Sequence, residues 1–251
     1  MCGKAAVSHL KWDEVFAWAS ILNPPSALPP DPENRINVSP SRLRRKSEPD
    51  SMIWETLPVI SHRDGRDTPS QAIWPYLPPW SKGRLPELKS GKLLSTANAR
   101  LREKGAPFAP TFMKPWTLGY RVIVVVSWFY EFDSRVHPQI PYAVFPLEQP
   151  FWAMAGLAWP STSNEMGTSL TCAIITVNPN RILRSIGHHR SPAILPSPKA
   201  CTTWLHGESN DALEVLRPHP DESMGVEEVP MTIKIPGNQE VDLSSVLTEP
   251  R

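Results

Sequence analysis

Glycine is scarce in this chain, 12 residues against 30 prolines. No glycine-rich phosphate loop, no Gly-x-Ser-x-Gly elbow and no His-Glu-x-x-His helix occurs, so three common enzyme classes lack their motif. Cysteine is scarcer still. Cys2, Cys172 and Cys201 show neither a pairing pattern nor metal-ligand spacing, which points to a reducing compartment and to no bound metal. Charge of one sign is lacking too: the net charge is +1, so any nucleic-acid contact must come from a local patch. No stretch approaches the roughly 20 apolar residues of a membrane span, and the N-terminus lacks a signal-peptide shape. No internal repeat is present. An intracellular protein, nuclear in a eukaryote or cytoplasmic in a bacterium, is expected.

The most informative residue present is Cys2. Methionine is usually trimmed before a small second residue, which would leave cysteine at the N-terminus. Its α-amine titrates near ~8 and its thiol near ~8.5, so both are partly deprotonated at neutral pH. The amine can form a Schiff base with an aldehyde, and the thiol can close on the same carbon to give a thiazolidine. Against this stands the plain reading that position 2 is accidental in a disordered tail.

With 251 residues and 40 % hydrophobic content, the chain suits one large globular domain or two small ones. The prolines predict long extended connections between short elements. Spacing predicts a helix over Lys11–Leu22, an extended piece at Arg35–Pro40 and irregular chain over Pro58–Ser81. Arg121–Phe132 reads as one buried strand, with further strands at Tyr142–Phe145, Phe151–Leu157 and Ala173–Val177. Asn178–Ile186 reads as a helix capped by Asn178. Short helices are expected at Ala200–His206 and Asp211–Arg217, and mostly loop after Pro218. Ser41–Ser47, with Arg42, Arg44, Arg45 and Lys46, fits a phosphate-facing patch, an import signal or a solvated loop. Strands that do not alternate with helices argue against a doubly wound sheet.

Glu131 follows the apolar strand and the aromatic run Trp128-Phe129-Tyr130. A partly buried carboxylate there would suit general acid–base chemistry; a surface strand end is the plain alternative. His188, His189 and Arg190 offer a catalytic imidazole and a phosphate ligand, or simply a polar turn. Asn37 and Asn98, taken alone, read more readily as turn residues than as ligands.

In order and spacing these segments resemble the SRAP (SOS response-associated peptidase) family, whose members shield abasic sites in single-stranded DNA. The matching pieces are Met1-Cys2-Gly3, Arg35-Ile36-Asn37-Val38-Ser39-Pro40, Asn98-Ala99-Arg100 and Trp128-Phe129-Tyr130-Glu131-Phe132. Ala155-Gly156-Leu157, Thr176-Val177-Asn178-Pro179-Asn180, His188-His189-Arg190-Ser191-Pro192 and, loosely, Trp74 to Trp80 complete the set. The resemblance implies an α+β fold with a curved, barrel-like, mainly antiparallel sheet, covering 1–217, with a polar extension over 218–251. It implies a monomer acting on abasic single-stranded DNA, with no cofactor, metal or membrane. Cys2 would be the nucleophile, and Asn37 and Asn98 would hold the N-terminus and the opened sugar. Glu131 would move protons, and His188 would assist at the sugar and in reversal. Arg100 and Arg190 would bind phosphates, and Trp74 would stack on a base.

The sequence departs from the family pattern in places. Trp128 replaces a glycine, so distortion of the strand carrying Glu131 and an impaired enzyme are expected, with Trp128→Gly restoring both rate and stability. Pro75, Arg102, His189 and Ser191 are the other differences. Two further readings stay open: a cysteine peptidase using Cys2, and a non-enzymatic module that binds single-stranded DNA.

Overall fold

The structure, a computed structural model, describes residues 3–19, 25–45, 48–163 and 166–231, with the backbone alone at 42–45 and 48–51. Its strands are β1 (Lys4–Val7), β2 (Arg35–Val38), β3 (Arg42–Arg45), β4 (Glu48–Ile53), β5 (Glu55–Arg63), β6 (Arg66–Trp74), β7 (Asn98–Arg100), β8 (Arg121–Val126), β9 (Trp128–Asp133), β10 (Ile140–Pro146), β11 (Trp152–Ser163), β12 (Gly167–Val177), β13 (Ser191–Pro192) and β14 (Met224–Glu228). Its helices are α1 (Trp12–Ala19), α2 (Pro110–Thr117), α3 (Arg181–Ser185), α4 (Pro198–His206) and α5 (Ser209–Glu214). The expected α+β class holds. Pairing runs β11–β8–β5–β6–β12 and returns from β12 to β11, which closes a five-stranded barrel. A second sheet has the order β14–β10–β9–β1–β2.

The apolar run at Arg121–Phe132 is two strands rather than one. β8 belongs to the barrel and β9 to the second sheet. Ser127 is the corner between them: its amide donates to Ala6 O, and its hydroxyl accepts from Ser8 N and donates to Ser8 O. A small hydroxyl residue fits there because both of its polar groups are used in turning the chain. Along β8 the side chains alternate. Val122, Val124 and Val126 join Leu57, Val59 and Ile174 in a core that reaches Ala5, Phe129 and Val144 of the second sheet. Ile123 and Val125 pack instead beneath α1, α2 and α4, with Val15, Trp116 and Trp204. Each such burial is worth roughly 1.5–3 kcal/mol. At Gly156 the barrel is tightly packed: a Cβ there would lie 3.0 Å from methyls of Val122 and Val124.

Pro58–Ser81 corrects the expectation of irregular chain, since most of it is the β5–β6 hairpin. Its prolines fall where ladder demand is light. Pro58 precedes the Val59–Ser61 stretch that β8 joins, and β6, which carries Pro69, meets β12 only at Ile73. Arg42–Arg45 is a strand paired with β4 rather than a loop; the side chains of Arg42, Arg44, Arg45 and Lys46 lie outside the described residues. The helix after β12 starts at Arg181, capped by the Asn180 side chain accepting from Leu183 N, not by Asn178. The tail is also more ordered than expected, because β14 pairs with β10 from Met224 to Glu228. No described helix is long and apolar enough to cross a membrane.

Trp128 does not distort β9. Its backbone is extended, and β9 pairs in regular register with β1, Trp128 opposite Ala6 and Tyr130 opposite Lys4. The indole is 5 % exposed, meets the Tyr130 ring edge-on at 6.5 Å, and packs with Ile36, Ala143 and Val229. The Gly expectation therefore reverses. Trp128→Gly empties a filled site, at about 3–5 kcal/mol for a large aromatic truncation, and adds strand flexibility. At ~2–4 °C per kcal/mol for a chain of this size, its melting temperature is expected to fall by on the order of 10 °C, measurable by calorimetry. A rise would reinstate the strained reading.

Candidate active site

Strand β9 lies at the centre of the second sheet and carries Glu131 inward, 1 % exposed. Tyr130, next to it, donates its buried hydroxyl to Ile36 O at 2.8 Å and so ties β9 to β2. Burial raises the Tyr130 hydroxyl above the ordinary tyrosine range, so it remains a neutral donor.

Glu131 meets His188 across 57 residues of sequence. His188 Nε2 lies 2.6 Å from Glu131 Oε2, and His188 Nδ1 lies 2.9 Å from Arg190 O. A carbonyl oxygen only accepts, so Nδ1 carries a proton toward it. The Nε2–Oε2 contact then holds one further proton, on one partner or the other. This is a short, charge-assisted link between two groups suited to proton transfer.

The partner loop is held from β9 itself. Asp133 ends that strand and grips Arg135 at 2.6 Å, and Arg135 Nη2 donates to Ser185 O at 2.8 Å, at the end of α3. Arg135 holds the Asp133 carboxyl at about 2, below the usual range, through its hydrogen bonds. Between α3 and His188 stands Gly187, with φ +77°. A Cβ there would lie 2.6 Å from Asp133 Oδ1 and 2.7 Å from Arg135 Nε. Glycine is needed both for the left-handed turn and for the close approach.

Asn37 is 2 % exposed on β2 and accepts from Lys4 Nζ at 2.7 Å. Lys4 was not singled out from sequence. Cys2 itself lies outside the described residues. Cys172 and Cys201 are buried, and burial pushes both thiols up to about 12. Both therefore stay protonated and inert near neutral pH.

Asn98 begins β7, parallel to β12 and opposite Ile174, and Arg100 stands opposite Thr176. On the other side of β12, Ser191 pairs with Val177. The end of β12 thus gathers Arg100 and Arg190, which line a groove of about 510 Å³ with Leu101, Arg102, Glu103 and Lys104. Four of those residues are cationic, against one carboxylate that accepts from Asn178 Nδ2. Arg102 and Lys104 were missed; their alternation with Arg100 was the available signal.

Two sequence expectations need correction. Trp74 is fully buried, and its indole donates to Ala97 O at 2.9 Å. It cannot stack on a base; it anchors the residue before Asn98. Arg190 is 3 % exposed and donates to the carbonyls of Thr176 and Leu101 and to Asn178 Oδ1. Burial, then the charge of Arg100, lower its guanidinium to about 10. It stays charged at neutral pH but braces the groove floor, while Arg100 is exposed at the rim. His189 stacks on His188 with centroids 5.5 Å apart. Burial first, then the positive charges of Arg100 and Arg190, lower the His189 pKa.

A five-stranded barrel, a second sheet with a buried carboxylate–imidazole pair on the strand beside β1, and a basic groove together define the class of protein. The family model described as SOS response associated peptidase (SRAP) matches residues 1–236, and the chain belongs to that family. The abasic site processing protein YoqW of Bacillus subtilis (strain 168) is 29 % identical over 175 residues, covering 68 % of this chain and 73 % of YoqW. The abasic site processing protein YoaM of the same organism is 30 % identical over 177 residues, covering 68 % and 72 %. A solved structure from Bordetella bronchiseptica shares the fold with a TM-score of 0.65 at 18 % identity, covering 92 % of this chain and all of the other. A phage-related protein of that organism gives 0.58 at 20 %, covering 91 % and 94 %.

Proposed function

We propose that this chain processes abasic sites in single-stranded DNA by linking to them covalently through Cys2. The observation that carries the reading is the buried Glu131–His188 pair on β9, the strand beside the one that leads from the N-terminus. Two residues of chain, at most about 7 Å, separate Cys2 from Lys4, and Lys4 pairs with Tyr130, next to Glu131. The names of the relatives point to the same substrate.

Removal of Met1 frees the Cys2 amine. The amine attacks the aldehyde carbon of the ring-opened sugar, and loss of water gives an imine. The thiol sulfur then bonds to that carbon, while its proton passes to the nitrogen, closing a thiazolidine. Glu131 and His188 hold the proton that must reach the departing oxygen and leave the amine. Asn37, braced by Lys4, and Asn98 orient the N-terminus and the sugar.

The test is incubation with abasic and with intact single-stranded DNA, followed by a denaturing gel. A stable adduct with abasic DNA alone is expected. Equal, salt-sensitive binding to both without an adduct would favour a binding module, and peptide cleavage without an adduct would favour the peptidase.

The groove allows a sharper prediction. Arg100→Ala is expected to weaken binding evenly across DNA sequences and to flatten the salt slope by about 0.7 per lost phosphate contact. Arg190→Ala is expected mainly to lower thermal stability, since its donors serve backbone carbonyls. Salt titrations of both variants check this; an unchanged slope in Arg100→Ala would remove it from the DNA contact.

A further inference from the structure

A second cluster of ionisable groups lies away from the Glu131–His188 pair. The turn Asp64–Gly65, with φ of 51° and 73°, closes the β5–β6 hairpin in the manner of a tight two-residue turn. In the hairpin register His62 faces Asp67 directly. The last residue of α4, His206, comes down onto the same carboxylate. His62 Nδ1 is 2.7 Å from Asp67 Oδ1, and His206 Nε2 is 3.2 Å from Asp67 Oδ2. The two imidazoles meet edge-on with centroids 4.3 Å apart. Ser61, beside His62, pairs with Val122 at the start of β8. β8 reaches the second sheet at its other end, through Ser127, and at ~3.3 Å per residue that puts the two sites on the order of 15 Å apart or more.

Asp67 is fully buried, and among the described residues its ion pairs are with these two histidines alone. A buried carboxylate needs a compensating positive charge. Among the described residues no arginine or lysine is paired with it. One candidate ligand atom from each residue lies within 4.8 Å of the others; a tetrahedral ion with bonds of ~2.0–2.2 Å holds its ligand atoms roughly 3.3–3.6 Å apart, which a small turn of the two half-exposed imidazoles supplies. The histidine side chains are 31 % and 26 % exposed, so solvent reaches the open side.

We propose that His62, Asp67 and His206 form a divalent transition-metal site of the zinc class, with water in the fourth position. Two neutral imidazoles and one carboxylate are a ligand set such an ion accepts. The ion would neutralise Asp67 and fasten α4 to the β5–β6 hairpin. The metal-free alternative is a carboxylate bridged by two imidazole N–H groups.

The test is calorimetric titration of zinc into chelator-stripped protein at pH 7.5. It is done in the Cys2→Ala background, so that the N-terminal thiol cannot bind the ion. One equivalent with micromolar or tighter affinity is expected, weakened roughly 100-fold by His206→Gln and by Asp67→Asn. Cobalt in place of zinc is expected to give visible bands without an intense near-ultraviolet thiolate band. His206 is at the surface, so His206→Gln serves if Asp67→Asn does not fold, and circular dichroism checks both. Absence of a stoichiometric site, or one indifferent to His206→Gln, would overturn the proposal.

Discussion

Cys2→Ala is expected to abolish the adduct with abasic single-stranded DNA that survives denaturation, while weak, salt-sensitive binding remains. Thiazolidine closure needs the amine and the thiol on adjacent carbons, and no other residue offers both. Blocking Met1 removal should have the same effect, because the amine would then be tied up in a peptide bond. Cys2→Ser keeps the amine but not the sulfur. It is expected to form only an imine, trappable with borohydride and lost without it. Mass spectrometry of the crosslinked product after digestion distinguishes these outcomes. The other two cysteines are poor substitutes, since burial keeps both thiols protonated and away from DNA. A stable, unreduced adduct in Cys2→Ala would nevertheless sink the assignment.

The second large effect is expected at Glu131. Positioned acid–base groups contribute on the order of 10²–10⁴-fold in rate. Glu131→Gln preserves shape, and its amide can still hydrogen-bond to His188, but it can no longer exchange a proton. Crosslinking should slow within that range, with DNA affinity nearly unchanged. His188→Ala should slow formation or reversal less, although it leaves the Glu131 carboxylate without its 2.6 Å partner. Single-turnover time courses for both variants decide the matter. Wild-type rates in Glu131→Gln would show that the pair is structural.

The chemical residues were legible as types in order along the chain. Position 2 specifies the two nucleophiles, because an N-terminal cysteine has its chemistry whatever the fold does. The continuous apolar run before Glu131 announced buried strand, and the scarcity of regular strand–helix alternation announced a mixed, sheet-based fold. Those are local properties, set by side-chain chemistry and by the two-residue period of a strand.

Tertiary structure decided the rest, because it depends on which distant segments share a core. Whether Glu131 has a partner follows from Asp133 and Arg135 gripping the end of α3, which brings in His188. Trp74 looked like a stacking platform, yet the barrel needs its ring as core and its N–H for Ala97. Arg190 looked like a phosphate ligand, but buried carbonyls at the end of β12 claim its donors. Trp128 reads as damage only against a family pattern; in this core Ile36, Ala143 and Val229 form the space that it fills. Pro58 and Pro69, which suggested loop, sit in the β5–β6 ladder at positions that β8 and β12 do not join, which no local rule reveals. His62, Asp67 and His206 carry no spacing signal, since 139 residues separate Asp67 from His206. Only the docking of α4 on the barrel brings them within reach of one ion.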